Sequence, residues 1–573
     1  MKKSATLLLL LCLGFQLSQA QQSNKKNILF IAVDDLKPLL NAYGQSQMIT
    51  PNFDRLAKSG VIFQNAEVQQ AVCGPSRASV MTGTYPDRTK VWDLHTDFRE
   101  AAPELISMPE YLITQGYETT AIGKIYHKGS TAEGHDGKSW SIPHIQPENF
   151  DPKYGEPAFG YYQSQQTKDE MVKLMKEAEE KGMKKSMAQR NYAFKRLKPS
   201  TESADVSDEA YQDGIYTQEA LKKLKMLAKG NKPFFLGLGF QKPHLPFVAP
   251  KKYWDLYKRA DIKLAPNQDL IDGTPAYAYH SFGELRAFSD IDDNLNVGKR
   301  VPEDKQRELI HGYMACVSYV DAQLGKVLDE LDRLKLTDNT VIVLWGDHGY
   351  HLGDHTLWNK HSNFEQATRI PFIFSGPGVA KNVKVNTPVE LVDVFPTLFD
   401  LVNVKPSAQA DGKSLVTLLD TNPKNDINPV IALSQYPRQK DKMGYSVRTE
   451  RYRYTEWHGN GYNTEKPYDV SNIVGVELYD FVSDPLEAKN HAKEKSYAAI
   501  AKELQERLKN KLNEINKRNI YKAHPSTYKG GEEGGGEGKP KGDNAKAGNA
   551  KKGMGNKNQS GAGPNFTKKD FED

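Results

Sequence analysis

The chain predicts an α/β fold: a large, mainly parallel sheet flanked by helices, with a smaller sheet-plus-helix subdomain at the C-terminal end. Three observations carry this. Short apolar runs recur at 27–33, 117–122, 233–239 and 340–345, and charged or polar residues follow them. Segments with helical periodicity separate them, at 105–114, 210–228 and 302–334, and such alternation marks strand–helix–strand units. Around residue 430 the rhythm changes to closely spaced short strands and one helix. At 573 residues more than one domain is expected.

In chain order, Lys2 and Lys3, an apolar stretch at 7–15 and Ser18-Gln19-Ala20 read as a signal peptide over 1–20, so an exported protein, periplasmic or secreted, is expected. The apolar stretch is too short to span a bilayer, which needs about 20 residues. A lipoprotein anchor at Cys12 is disfavoured, because a leucine precedes that cysteine and the apolar stretch continues past it. The body at 25–428 opens with Asn27-Ile28-Leu29-Phe30-Ile31-Ala32-Val33, apolar on both faces as a buried parallel strand requires, and ends in Asp34-Asp35. Pro51 starts a short helix that Gly60 closes. The segment from about 131 to 207 breaks the rhythm and reads as a peripheral, partly helical insertion. Its lysines (Lys173, Lys176, Lys181, Lys184, Lys185) interleave with Glu177, Glu179 and Glu180, which fits a solvated helical face or a lid for a polyanion. The C-terminal subdomain at 429–525 holds strands near 431–433, 445–449, 451–457 and 476–479 and a helix at 497–517. The Gly- and Lys-rich tail at 526–573 has almost no apolar content and is expected to be disordered.

A net charge of +5 spread over this length, with no recognisable nucleic-acid-binding pattern, argues against nucleic acid as a partner. Removing the leader leaves two cysteines, Cys73 and Cys316. Cys316 lies within a helical pattern as a core residue, so there is no disulfide scaffold and Cys73 is free for chemistry.

Chemistry-bearing residues gather after the strands. Cys73 precedes Pro75 and an apolar segment ending at Gly83, the pattern of a residue at a helix start, with Pro75 at the first helical position and Arg77 one turn along. Asp347-His348 follow the run at 340–345. Strand C-terminal ends of a parallel sheet share one crevice, so Asp34, Asp35, Asp347 and His348 can meet there. An oxygen-rich set of this kind suits a hard divalent cation, calcium first and magnesium second, while zinc would want more His and Cys. Lys124 and His127 follow the strand at 117–122, Lys242 and His244 follow the one at 233–239, and Lys360 lies shortly after Asp347. Each alone fits a structural role; together they point to an anion site.

Cys73-Gly74-Pro75-Ser76-Arg77 with Thr82-Gly83 resembles the signature of type I sulfatases. The strings Asp34-Asp35-Leu36, Lys242-Pro243-His244, Asp347-His348-Gly349, Ser434-Gln435-Tyr436-Pro437-Arg438 and Glu477-Leu478-Tyr479-Asp480 extend the resemblance, over about 27–520, to the iduronate-2-sulfatase-like branch. The resemblance implies an alkaline-phosphatase-like sulfatase fold and sulfuric ester hydrolysis. It implies that a maturase converts Cys73 to formylglycine (3-oxoalanine) and that Asp34, Asp35, Cys73, Asp347 and His348 surround one divalent cation. Arg77, Lys124 and Lys360 would stabilise charge on the sulfuryl group, His244 would be the general acid, with or without Lys360, and His127 the base that releases sulfate. The implied substrate is a sulfated glycan carrying a uronic acid 2-O-sulfate; ulvan, fucoidan or carrageenan is the alternative. A phosphoester hydrolase of the same superfold and a non-catalytic glycan-binding protein are the rival classes. Lys242, His95, Arg99 and Arg438 are candidate contacts to a uronate, and Tyr350 and Trp358 candidate stacking partners for the sugar; each equally fits a structural role.

Overall fold

The computed structural model describes residues 25–131, 134–147, 150–422, 431–439, 441–459 and 469–518. The expected signal peptide at 1–20, the tail at 526–573 and the expected boundary at 428/429 lie outside the described residues. The large sheet comprises β1 (Asn27–Val33), β2 (Gly60–Glu67), β3 (Glu118–Gly123), β4 (Phe234–Phe240), β5 (Thr340–Gly346), β6 (Arg369–Ser375), β7 (Val383–Val385) and β8 (Val389–Glu390). Its order is β7-β2-β6-β5-β1-β4-β3, with β8 beside β2. Every pairing is parallel except those of β6, which runs antiparallel to both β2 and β5. The sheet is therefore mixed but mainly parallel.

Two cores explain why β1 is apolar throughout. Leu29, Ile31 and Val33 enter one core and Ile28, Phe30 and Ala32 the other, as the two-residue period of a strand dictates. The longer helices are α1 (Pro51–Lys58), α2 (Cys73–Thr82), α3 (Met108–Thr114), α4 (Gln165–Glu180), α5 (Ser186–Phe194), α6 (Gln212–Leu227), α7 (Glu303–Arg333), α8 (Val394–Leu401) and α9 (Ala498–Arg518). The first core is covered by α1, α6 and α7; Leu309, Tyr313, Val317, Val320 and Leu324 of α7 recur at three- and four-residue spacing and are buried. Glu303 and Asp304 in its first turn and Arg333 in its last match the helix dipole. The second core is covered by α2, α3 and α8 through Val80, Met81, Leu112, Phe395 and Leu398. Burying one such apolar side chain stabilises by ~1.5–3 kcal/mol, and a cavity at Phe30 (Phe30→Ala) would cost ~3–5 kcal/mol.

The segment at 131–207 is partly helical, as expected, through α4 and α5. It is also attached to the body: Leu174, Ala178, Tyr192 and Ala193 join the first core, and Thr201–Ala204 pairs in parallel with Phe247–Pro250. Its lysines are exposed, with Lys173 beside Glu170 and Lys181 beside Glu177. At the other end, β9 (Ala432–Arg438), β10 (Lys442–Arg448), β11 (Tyr452–His458) and β12 (Ile473–Asp480) form an antiparallel meander. Leu504, Leu508, Leu512 and Ile515 of α9 pack onto it against Met443, Val447 and Leu478. The strands run further than their apolar residues suggest, because Ser434, Gln435 and Arg438 are buried as polar residues.

Candidate active site

The site lies where β1, β3, β4 and β5 end. Close backbone contact sets its floor. A Cβ at Gly239 would lie 2.0 Å from the Lys124 carbonyl oxygen, and one at Gly123, whose φ is +75°, would lie 2.2 Å from the Gly239 oxygen. Only glycine lets the end of β4 and the Lys124 loop touch. Cys73 is the first residue of α2, two positions earlier than Pro75 suggested, and Val72 in extended conformation is its N-cap. Its Sγ lies 3.4 Å from Asp34 Oδ1, 3.2 Å from His348 Nε2 and 3.8 Å from Lys124 Nζ. Ligand atoms of Asp34, Asp35, Cys73 and His348 all fall within 4.8 Å of one another. Asp347 borders this group: its Oδ1 is 3.7 Å from His348 Nε2 and accepts the Asp35 N–H at 3.0 Å.

Each carboxylate is met by a fixed cation. Arg77, fully buried, donates from Nε to Asp347 Oδ2 at 2.9 Å and from Nη2 to Asp34 Oδ1 at 3.3 Å. Its Nη1 donates to the carbonyls of Lys124 and Ile125. Lys124 Nζ lies 2.5 Å from Asp34 Oδ2, and Lys360 Nζ 3.1 Å from Asp35 Oδ1. Burial alone would raise Asp34, but Lys124, His244 and Arg77 outweigh it and hold the carboxyl well below the usual range. Burial and then the Asp34 carboxylate push the Cys73 thiol well up. Burial and then Lys124 hold His127 well below the usual histidine range, so it is neutral and its Nδ1 has no hydrogen-bond partner.

The residues present fit a cation. His348 Nδ1 faces the Gly349 carbonyl at 3.0 Å, which assigns the proton to Nδ1 and leaves the Nε2 lone pair. That lone pair points at Asp35 Oδ1, 3.3 Å away. Two acceptors facing each other in a buried site are repulsive until a positive charge lies between them, and oxygen-rich donors of this kind suit calcium or magnesium.

His244 and Lys360 meet through a residue that sequence reasoning missed. Glu284 Oε1 lies 3.0 Å from His244 Nε2, and Glu284 Oε2 2.8 Å from Lys360 Nζ. Burial would lower His244, but Asp35 and Glu284 outweigh it and raise it above the ordinary value. Asp213 was also missed; it accepts the Gln241 and Lys242 N–H groups at 2.8 Å each and so anchors the turn carrying His244.

The sugar-contact candidates are more dispersed. Lys242 Nζ donates to the carbonyls of His244 and Pro246. Arg99 is held by both oxygens of Asp136 and by Glu110. Arg438 donates to the carbonyls of His361 and Ala278 and lies over the Tyr436 ring. Tyr350 and Trp358 lie in the first core, and the Tyr350 hydroxyl accepts from Asn359. These two aromatic side chains are essentially inaccessible, and stacking on a sugar needs an open face. His95 is exposed.

The sulfatase family pattern matches residues 26–404, well over half of the chain. The chain belongs to the sulfatase family. It is accordingly a sulfuric ester hydrolase. An N-sulphoglucosamine sulphohydrolase C-terminal pattern matches residues 353–514. The sulfatase is 35% identical to iduronate 2-sulfatase of Mus musculus, covering 83% of this chain and 93% of that one. It is 32% identical to a sulfatase of Formosa agariphila, covering 84% and 86%. A solved 2-O GAG sulfatase superposes with a TM-score of 0.62 at 23% identity, covering 87% of this chain and 95% of that one, which shows the shared fold. No helix among the described residues is long and apolar enough to cross a membrane.

Proposed function

We propose that this sulfatase removes a sulfate ester from a sulfated glycan, with a uronic acid 2-O-sulfate as its target, using Cys73 matured to formylglycine and one divalent cation, calcium before magnesium. The observation that carries the reading is the position of Cys73: the signature cysteine opens α2 inside the cluster of Asp34, Asp35, His348 and Lys124. Likeness to proteins named iduronate 2-sulfatase supports the sugar and the position, and a marine glycan remains the alternative. The basic and apolar N-terminus supports export.

Asp34, Asp35, Asp347 and His348 would hold the cation. When bound, cation and formylglycine supply an activated hydroxyl nucleophile and neutralise sulfate oxygens. Arg77, tied to Asp34 and Asp347, orients both carboxylates. Lys124 is the cation beside residue 73 and binds a sulfate oxygen, and Lys360, held by Asp35, does so as well. His244 protonates the departing sugar oxygen, its Nε2 proton turning from the Glu284 Oε1 contact at 3.0 Å to the leaving group. His127, neutral and beside Lys124, removes a proton from matured residue 73 so that sulfate can leave. An unmodified thiol, pushed up by burial and by Asp34, would stay protonated and inert.

Peptide mass spectrometry of active protein should find sulfur lost and an aldehyde oxygen gained at residue 73, or its hydrate. Active protein carrying only the thiol would refute this. Assays on defined sulfated oligosaccharides beside phosphate esters, with Cys73→Ala as control, would identify the substrate.

A further inference from the structure

Glu284 has no role in the chemistry so far, yet it is the residue through which the two leaving-group-side cations touch. Its two oxygens are divided between them, 3.0 Å to His244 Nε2 and 2.8 Å to Lys360 Nζ, and the second oxygen also lies 3.7 Å from His361 Nε2. His244 Nδ1 faces the Leu245 carbonyl at 2.6 Å. Both ring nitrogens therefore face acceptors, which fixes the plane of the imidazole and leaves a proton on Nε2.

The support beneath Glu284 is equally specific. It sits on the turn Gly283–Arg286, entered through Phe282 at φ 42°, a left-handed conformation rare for a bulky residue. The Phe282 N–H donates to His280 Nδ1 and the Leu285 N–H to Asn359 Oδ1, so the turn is fastened to the residue just before Lys360. Such a strained, tied-down turn keeps a carboxylate in place against its own desolvation cost. Asp35, His244 and Glu284 could by composition form a second cation site. Lys360 Nζ already lies between the two carboxylates, however, 3.1 Å from Asp35 and 2.8 Å from Glu284.

We infer that Glu284 is a positioning residue that holds His244 and Lys360 as one unit on the leaving-group side of the sulfate. The inference rests on the sulfatase reading above, with His244 as proton donor. In Glu284→Gln one carboxylate oxygen becomes an NH2 donor facing either His244 or Lys360, so one of the two ties is lost with almost no change in volume. Glu284→Asp keeps the charge but shortens the reach by one methylene.

The experiment compares wild type, Glu284→Gln and Glu284→Asp, each with residue 73 matured, on a sugar sulfate and on nitrophenyl sulfate. Nitrophenolate is a weak base and departs with little protonation. Glu284→Gln should lower kcat on the sugar ester by roughly 10–100-fold, the usual effect of losing a supporting partner. KM should hold, the aryl ester should lose at least about tenfold less than the sugar ester, since it needs Lys360 but not the proton from His244, and Glu284→Asp should fall between. Metal content should equal that of wild type. Equal loss on both esters, no loss on either, or loss of one metal equivalent would overturn the inference while the sulfatase reading stands. Wild type inactive on both esters would overturn the reading and the inference with it.

Discussion

Two buried charge clusters in this protein look alike in composition and differ in how they reach balance. At the ends of β1, β3, β4 and β5, Asp34, Asp35, Asp347 and Glu284 face Arg77, Lys124, Lys360 and His244. Between the large sheet and the C-terminal meander, Glu67, Glu365 and Glu487 face Arg448 and Arg453. In the second cluster Arg453 reaches Glu365 at 2.6 Å, Glu67 at 3.2 Å and Glu487 at 3.4 Å. Three carboxylates face two buried guanidiniums, with the partly exposed Arg369 4.0 Å from Glu365. Burial, opposed by Arg453, pushes Glu487 up to about 8, so it retains its proton near neutrality. That cluster closes on itself with a proton. The first differs: its four carboxylates meet four cationic side chains, and donor atoms of Asp34, Asp35, Cys73 and His348 also converge within 4.8 Å of one another. That convergence of donor atoms, rather than a deficit of positive charge, is what fits a cation from outside. Buried charge thus serves assembly in one place and ligand binding in the other.

The largest effect expected from this contrast is on the metal. Asp34→Ala, or exhaustive chelation of the wild type, should reduce activity to background, and calcium should restore the chelated protein but not the variant. Full activity in a preparation shown by metal analysis to be metal-free would make the two clusters equivalent after all. Next comes the proton donor: His244→Ala should slow a sugar sulfate by about 100- to 10,000-fold and an aryl sulfate at least about tenfold less. Equal losses would move His244 into sulfate binding and leave Lys360 as the acid.

The closed cluster should respond in stability. Arg453→Met leaves Glu67 and Glu487 buried without their arginine and Glu365 without one of its partners, and should cost ~3–5 kcal/mol by denaturant unfolding. Turnover per folded molecule should stay unchanged; a collapse in turnover at constant stability would mean that this cluster also serves the chemistry. The smallest effect is a pH slope. Between pH 4.5 and about 8 the folded chain holds a proton on Glu487 that the unfolded chain has released. The contribution is therefore fully present below pH 4.5 and declines as pH rises toward 8, by at most about 1.4 kcal/mol per pH unit. Glu487→Gln should flatten that part of the profile, and an unaltered slope would place the excess proton elsewhere.

Much of the first cluster was legible in the sequence because its ligands follow uninterrupted apolar strands. Asp34-Asp35 after β1 and Asp347-His348 after β5 are the ends of segments buried on both faces, and that is a pattern a sequence displays. Glu284 was not legible: it stands on a four-residue turn whose position depends on Asn359, distant in sequence. Tyr350 and Trp358 misled in the opposite sense. Aromatic residues beside a ligand loop suggest a sugar platform, but here the loop folds inward and they complete the first core. The strand at 432–438 was seen only in part, since Ser434 and Gln435 are buried through hydrogen bonds to Val68 and Asp87 rather than through apolar character. The attachment of 131–207 rests on scattered residues such as Tyr192 and Ala193, which form no continuous periodic stretch.

The central position of β1 has a consequence for the time at which the protein becomes whole. β1 is among the first segments to be synthesised, yet its neighbours on either side are β4 and β5, far down the chain. At a synthesis rate of about 5–20 residues per second, roughly 15–60 s pass between the appearance of Val33 and that of Gly346. Both edges of this apolar strand stay unpaired until Phe240 is made, and one of them until Gly346, so it must be kept from pairing with other chains. Asp34 and Asp35 follow it directly and place two negative charges at its end, as gatekeepers do. The same two carboxylates would then guard the nascent strand before they serve the finished enzyme.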